Sequence, residues 1–262
     1  MGHPHHHDKH VYIPGQAPAL LLSKILFITG TDTGVGKTIL TGLLLLHLRE
    51  RGCRVLAMKP FCSGGTDDVE LIQSVQGDEP PRSAVNPFYF AEPLAPLAAA
   101  RRRGQRIHLG TVKEAIARME RQCERLIVEG AGGMLAPLGA GCCLADVMEQ
   151  MGGDVVLVAP NRLGTINHTR LTIEAIQSRQ MSRILVVLMG QAVRDASSRS
   201  NPLILAELLA PIAVVEVPYL GPGAGKLAAL RRNAKKIKKV LARIGDPDSF
   251  CARCTKRVGR RP

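Results

Sequence analysis

Short, unbroken apolar runs that each end in glycine, proline or a charge recur along the chain, and longer stretches with helical spacing lie between them. Residues 25–29, 54–59, 125–129, 154–159, 183–189 and 213–217 are runs of this kind, the form of strands buried on both faces. Between them, 39–51 is Leu-rich and closed by Gly52 at a position suited to a C-terminal cap. Val112, Ala115, Ile116 and Met119 mark a helix over 111–123, and further helices are predicted over 69–76, 144–151, 166–179 and 202–209. Strands alternating with helices predict an α/β fold, a mostly parallel sheet with helices on both faces.

Residues 1–23 have no strand or helix period and contain Pro4, Pro14 and Pro18, so an N-terminal extension is expected ahead of one domain over 24–225. Residues 226–262 are expected to be a basic C-terminal tail, helical in part over 225–243 and with little order after Gly245.

Charge changes that picture little. The net charge is +13, but 13 of the 35 Lys and Arg and only two of the 22 Asp and Glu lie from Lys226 onward. The body is nearly neutral and the charge belongs to the end of the chain. With no Trp, three Tyr and five Phe, a protein that stacks many bases is not expected, and a basic run is most often a solvated face. No nucleic-acid or membrane partner is therefore expected. No stretch of eighteen apolar residues occurs, and residues 1–10 are His-rich without an apolar signal core, so a cytoplasmic location is expected. The seven Cys have no regular spacing and read as reduced thiols; Cys251 and Cys254 form only half of a zinc-site pattern.

The chemistry concentrates after the first strand. Gly30-Thr31-Asp32-Thr33-Gly34-Val35-Gly36-Lys37-Thr38 is a phosphate loop one residue longer than the usual form, set between a predicted strand and a predicted helix. Glycines let backbone N–H groups close around phosphate oxygens, and the following helix start adds favourable partial charge. Lys37 is expected to reach the β- and γ-phosphates and the Thr38 hydroxyl to bind Mg²⁺, the arrangement of a P-loop NTPase. Lys59 follows the second strand, at the same sheet edge, where ligands of open α/β sheets bind. Asp67-Asp68 opens the next helix, and Glu129 ends a strand beside glycines. Thr38, Asp68 and Glu129 together offer hard oxygen ligands for Mg²⁺.

GTDTGVGKT, KPFCSGG, DDVELIQ, NPFYFAEPLAPLAA, VEGAGG, NRLGTINHTRLT and VPYLG, in this order over about residues 24–225, resemble the dethiobiotin synthetase family. The resemblance implies conversion of 7,8-diaminononanoate, CO₂ and ATP to dethiobiotin, through a carbamate and a carbamic–phosphoric anhydride. It implies Lys59, Lys37 and Thr33 as catalytic groups and Ser63 as a substrate contact. Gly34, Val35, Gly36, Lys37, Thr38 and Ile39 would hold phosphates, with Asp68, Glu129, Gly130, Ala131 and Gly132 beside them. Gln191, Pro218, Tyr219 and Leu220 would hold the base. Asn167 would meet the substrate carboxylate across a homodimer interface. Two positions depart from the family: Gly34 stands where Glu is common, and Met189-Gly190-Gln191 replaces an expected Asn, with Gln191 as its amide equivalent.

Two other readings share the fold. Cobyrinate amide synthases add a glutaminase domain, for which the roughly 35 residues after Gly225 leave no room. Partition and septum-positioning ATPases carry an additional lysine near the start of the loop, where this chain has Thr31-Asp32-Thr33.

Overall fold

The computed structural model describes residues 24–77 and 79–250. The strands are β1 (Ile25–Gly30), β2 (Val55–Met58), β3 (Phe61–Ser63), β4 (Phe88–Phe90), β5 (Arg125–Gly133), β6 (Pro137–Gly139), β7 (Cys142–Cys143), β8 (Asp154–Pro160), β9 (Ile184–Met189) and β10 (Ala213–Val217). The helices are α1 (Lys37–Glu50), α2 (Asp67–Gln76), α3 (Arg82–Val85), α4 (Pro96–Arg102), α5 (Leu109–Glu120), α6 (Leu144–Met151), α7 (Thr165–Gln177), α8 (Asn201–Leu209), α9 (Leu227–Lys236) and α10 (Lys238–Gly245).

Six strands form one parallel sheet in the order β10-β9-β8-β1-β5-β2. Alternate residues point to opposite faces. Phe27, Val128, Leu157 and Val186 join one core with α5, α6, α7 and α8, while Leu26, Ile28, Ile127, Val156 and Val187 join the other with α1, α2, α9 and α10. Both faces are covered, which is why these strands carry continuous apolar runs. The chain crosses to one side of β1 for β2 and β5 and to the other for β8, β9 and β10. The topological switch, and the crevice it opens, therefore lies at the end of β1.

The six main strands fall where the apolar runs place them. The sequence pattern did not predict two short pairs, parallel β3–β4 and antiparallel β6–β7. The expected edge of the domain at 225 also differs from what is observed. Leu230, Leu241 and Ile244 are fully buried and α9 and α10 pack on α1, so the described chain stays on the domain through the buried Phe250. Gly42 makes that packing possible, since a Cβ there would lie 2.7 Å from a Leu230 methyl. The His-rich residues 1–10 and the Cys251–Cys254 pair lie outside the described residues. No described helix is long and apolar enough to cross a membrane, and the five described cysteines are free.

The α1–α10 contact buries His47 to 2% exposure. Burial holds its imidazole below the ordinary value of 6.5; Arg51 and Lys238 push the same way, and Glu50 opposes them. The unfolded chain therefore takes up this proton at a higher pH than the folded chain. The stability that neutral His47 contributes is intact above about pH 6.5 and is lost as the pH falls through its folded value. Thermal unfolding at pH 7.5 and 5.5 should show a drop in Tm that is smaller in His47→Gln; an equal drop in both would remove His47 as its source.

Candidate active site

The loop after β1 shows why its residue types are needed. Gly34 and Gly36 have φ of 73° and 105°, where a side chain is strained, and a Cβ on Gly36 would lie 3.1 Å from the Met189 methyl. Val35 and Ile39 pack into the core below, so the loop offers its backbone outward. Gly36 gives α1 no side-chain cap, so the first N–H groups of the helix remain open to an anion. The buried Lys37 ammonium donates to the Asp32 carbonyl at 3.0 Å. Burial holds Lys37 below the usual lysine value; Glu129 opposes that shift, Lys59 adds to it, and Asp68 and Asp32 oppose it.

The strand order β1-β5-β2 explains the meeting of distant residues. Glu129, on β5, lies between the loop after β1 and Lys59 after β2. Its carboxylate is fully buried and accepts from the Thr38 hydroxyl at 2.6 Å, with Lys59 Nζ at 3.2 Å from the same oxygen. Its other oxygen lies 2.9 Å from Thr41 Oγ1. Lys59 also donates to Asp68, at the first turn of α2. Burial pulls Lys59 down, but Glu129 and Asp68 outweigh it, so its ammonium loses its proton only above the usual lysine range. The Glu129 and Asp68 carboxylates thus meet at the Lys59 ammonium, with the Thr38 hydroxyl on the same Glu129 oxygen. Hydroxyl and carboxylate oxygens are the donor type that a hard divalent ion takes, with phosphate and water oxygens completing its shell; no group of three or more His, Cys, Asp or Glu occurs among the described residues.

Three residues to which the sequence reading gave no role hold this centre. Thr41 lies one turn beyond Thr38 on the same face of α1, a spacing that could have revealed it. The Asn86 amide donates to the carbonyls of Lys59 and Pro60 at 2.9 and 3.2 Å, and Lys59 N–H donates to Val85 at 2.9 Å. The buried Gln76 amide pairs with both backbone groups of Ala57 at 2.8 and 2.9 Å, satisfying the free edge of β2. Asn86 opens the NPFYFAEPLAPLAA motif, but nothing local signals its contact with Lys59, and no local pattern signals Gln76.

An open cavity of about 570 Å³ adjoins the centre, lined by Thr33, Lys59, Ser63, Asp68, Ala131 and Gly132 and walled by residues 93–96. Gly130 lies against α6, where a Cβ would be 2.4 Å from a Leu144 methyl. A second cavity of about 330 Å³ is lined by Gln191, Pro218 and Tyr219 together with Glu216 and Asn161. Gln191 donates one N–H to the Met189 carbonyl at 2.8 Å. The Asn161 amide is already engaged with Ser198 and Asn201. Gly190 lets residues 218–219 cross it, as a Cβ would be 2.4 Å from Tyr219 N. Two candidates lie elsewhere. Leu220 packs toward the core, and Asn167 is exposed in the first turn of α7, lining neither cavity.

A family model described as an AAA domain matches residues 24–239. The chain is 41% identical over 187 residues to an ATP-dependent dethiobiotin synthetase of Anaeromyxobacter dehalogenans (strain 2CP-C), covering 70% of this chain and 83% of that protein. A dethiobiotin synthetase of Methanococcus vannielii is 34% identical over 164 residues, covering 63% and 78%. Among solved structures, the MinC:MinD cell division protein complex of Aquifex aeolicus is similar at 10% identity and TM-score 0.56, covering 85% of this chain and 96% of that one. A ParA family ATPase from Chlorobium tepidum TLS is similar at 14% identity and TM-score 0.50, covering 89% and 96%. At such identities the structural likeness is one of fold.

Proposed function

The chain belongs to the dethiobiotin synthetase family and is an ATP-dependent ligase of biotin biosynthesis; from that premise we propose that it carboxylates 7,8-diaminononanoate with CO₂ and closes the ureido ring. One amine of the substrate adds to CO₂ and loses a proton, giving a carbamate. A carbamate oxygen attacks the γ-phosphorus of ATP and ADP leaves. The neighbouring amine attacks the carbamoyl carbon of the resulting anhydride, and phosphate leaves as the ring closes.

The observation that carries this reading is the Lys59 ammonium, held against Glu129 beside Thr38 and opening on the 570 Å³ cavity. Carbamate and γ-phosphate are both anions, and their approach is costly at low dielectric. Lys59 is the cation for the carbamate and Lys37 for the phosphates, so the charge spreading over the phosphoryl oxygens meets fixed positive groups. Thr33 and Ser63 offer hydroxyls to the phosphoryl group and the diamine. The backbone from Gly34 to Ile39 cradles the phosphates, with Gly130, Ala131 and Gly132 forming the facing wall. Thr38, Asp68 and Glu129 would hold Mg²⁺, which supplies further positive charge to the triphosphate. Gln191, Pro218 and Tyr219 line a recess suited to the base, next to Leu220, whose side chain packs toward the core.

Asn167 enters this scheme through a second copy of the chain. Leu163 and Leu171 beside it, with Leu203 and Leu208 on α8, are exposed at 80, 58, 75 and 48%. Such apolar surface supports a homodimer in which α7 faces the partner's cavity.

Mass detection of dethiobiotin from diaminononanoate, bicarbonate and Mg·ATP, each omitted in turn, tests the whole scheme. Product and phosphate release should both require all three. Phosphate released at the full rate without the diamine would refute the scheme.

A further inference from the structure

The basic segment was expected to be a tail, and a tail's charge is diffuse. The structure instead fixes that charge on a rigid surface. Eight Lys and Arg lie between 226 and 243, all exposed, with no acidic residue between Glu216 and Asp246. None of the eight enters an ion pair among the described residues. Arg231, Arg232, Lys235 and Lys236 lie opposite the buried Leu230 and Ala234 on α9, and the exposed Lys238 and Lys239 follow at the start of α10. Like charges four residues apart on a helix repel by a few tenths of a kcal/mol per pair. No acidic residue within the segment and no ion pair among the described residues offsets that repulsion, so the face is complementary to an external polyanion.

We propose that the outer face of α9 and α10 docks the phosphate backbone of a nucleic-acid duplex, without reading its sequence. A lipid surface is the poorer fit. Adsorbing helices insert apolar side chains, and here Leu230, Ile237, Leu241 and Ile244 are already committed to the core. Single strands are also disfavoured, because residues 220–249 contain no aromatic side chain on which bases could stack. Cations at fixed spacing, with backbone contact alone, suit a regular duplex.

Fluorescence anisotropy of the full chain with a labelled random-sequence 20-bp DNA duplex tests the proposal. About four phosphate contacts predict that affinity falls roughly a hundredfold between 50 and 200 mM salt. The variant carrying Lys235→Gln, Lys236→Gln, Lys238→Gln and Lys239→Gln should bind at least about tenfold more weakly at 50 mM salt, with a shallower salt dependence. Its far-UV spectrum and dethiobiotin formation should be unchanged. Three outcomes would overturn the proposal. One is no duplex binding at 50 mM salt. Another is equal binding by the variant, which would assign the contact to residues beyond 250. The third is binding to phosphatidylserine vesicles but not to the duplex.

Discussion

Lys59→Ala is expected to slow product-coupled phosphate release at least about a thousandfold while nucleotide affinity changes only a few-fold. Removing one donor aimed at developing charge costs about a hundred- to a thousandfold in comparable sites. Here the donor also separates two anions, so the upper part of that range is the floor. Nucleotide affinity should survive because it rests on other groups: the open N–H groups of the loop, Lys37, and the Thr38 hydroxyl. Glu129 would lose the ammonium at 3.2 Å but keep the hydroxyls of Thr38 and Thr41. Lys59→Arg separates charge from shape, since a planar guanidinium keeps the positive charge and loses the compact ammonium. It should rescue folding more than rate. Phosphate release from all three substrates, with a parallel nucleotide titration, reads both quantities. Turnover within tenfold of the parent in Lys59→Ala would take Lys59 out of the chemistry.

How far the site could be read from the sequence depended on how local each feature is. The phosphate loop was legible because strand, glycines, Lys37-Thr38 and helix all fall within a few residues of one another. Glu129 and Lys59 were legible as strand-end residues next to glycine, but their meeting depends on β5 lying between β1 and β2. Nothing local fixes that order. The role of Asn86, the first residue of its motif, was hidden for the same reason: it braces Lys59 from 27 residues away through a side chain that a turn could equally well carry. The short β3–β4 pair joins Phe61–Ser63 to Phe88–Phe90, three residues each and too brief for a period to show. In the basic segment charge masked a real signal. Leu230, Ile237, Leu241 and Ile244 recur at helical spacing, and it is these four, not the lysines between them, that hold α9 and α10 on the domain.

The other large effect should arise at the far end of the sheet, where function is not involved. Asp154, the first residue of β8, is fully buried between two guanidiniums. Arg183 Nε donates to it at 2.5 Å, and Arg125 lies 3.5 Å from its second oxygen. Arg125 in turn donates to the Gly245 carbonyl at 2.8 Å, tying the end of α10 to the start of β5. Burial pulls the Arg125 guanidinium below its usual range and Asp154 opposes that shift, so removing the carboxylate leaves a buried cation uncompensated. Breaking such a pair from one side costs about 3–5 kcal/mol, which for a domain of this size lowers Tm by roughly 10 °C. Asp154→Ala should show that loss by calorimetry, while the activity of the folded fraction at 20 °C stays near the parent's. Arg125→Leu combined with Asp154→Leu should recover part of it, because the double change leaves neither of those two charges behind. A Tm shift below about 2 °C in Asp154→Ala would mean that water already carries the charge of Arg125. The strand starts would then be held by apolar packing alone.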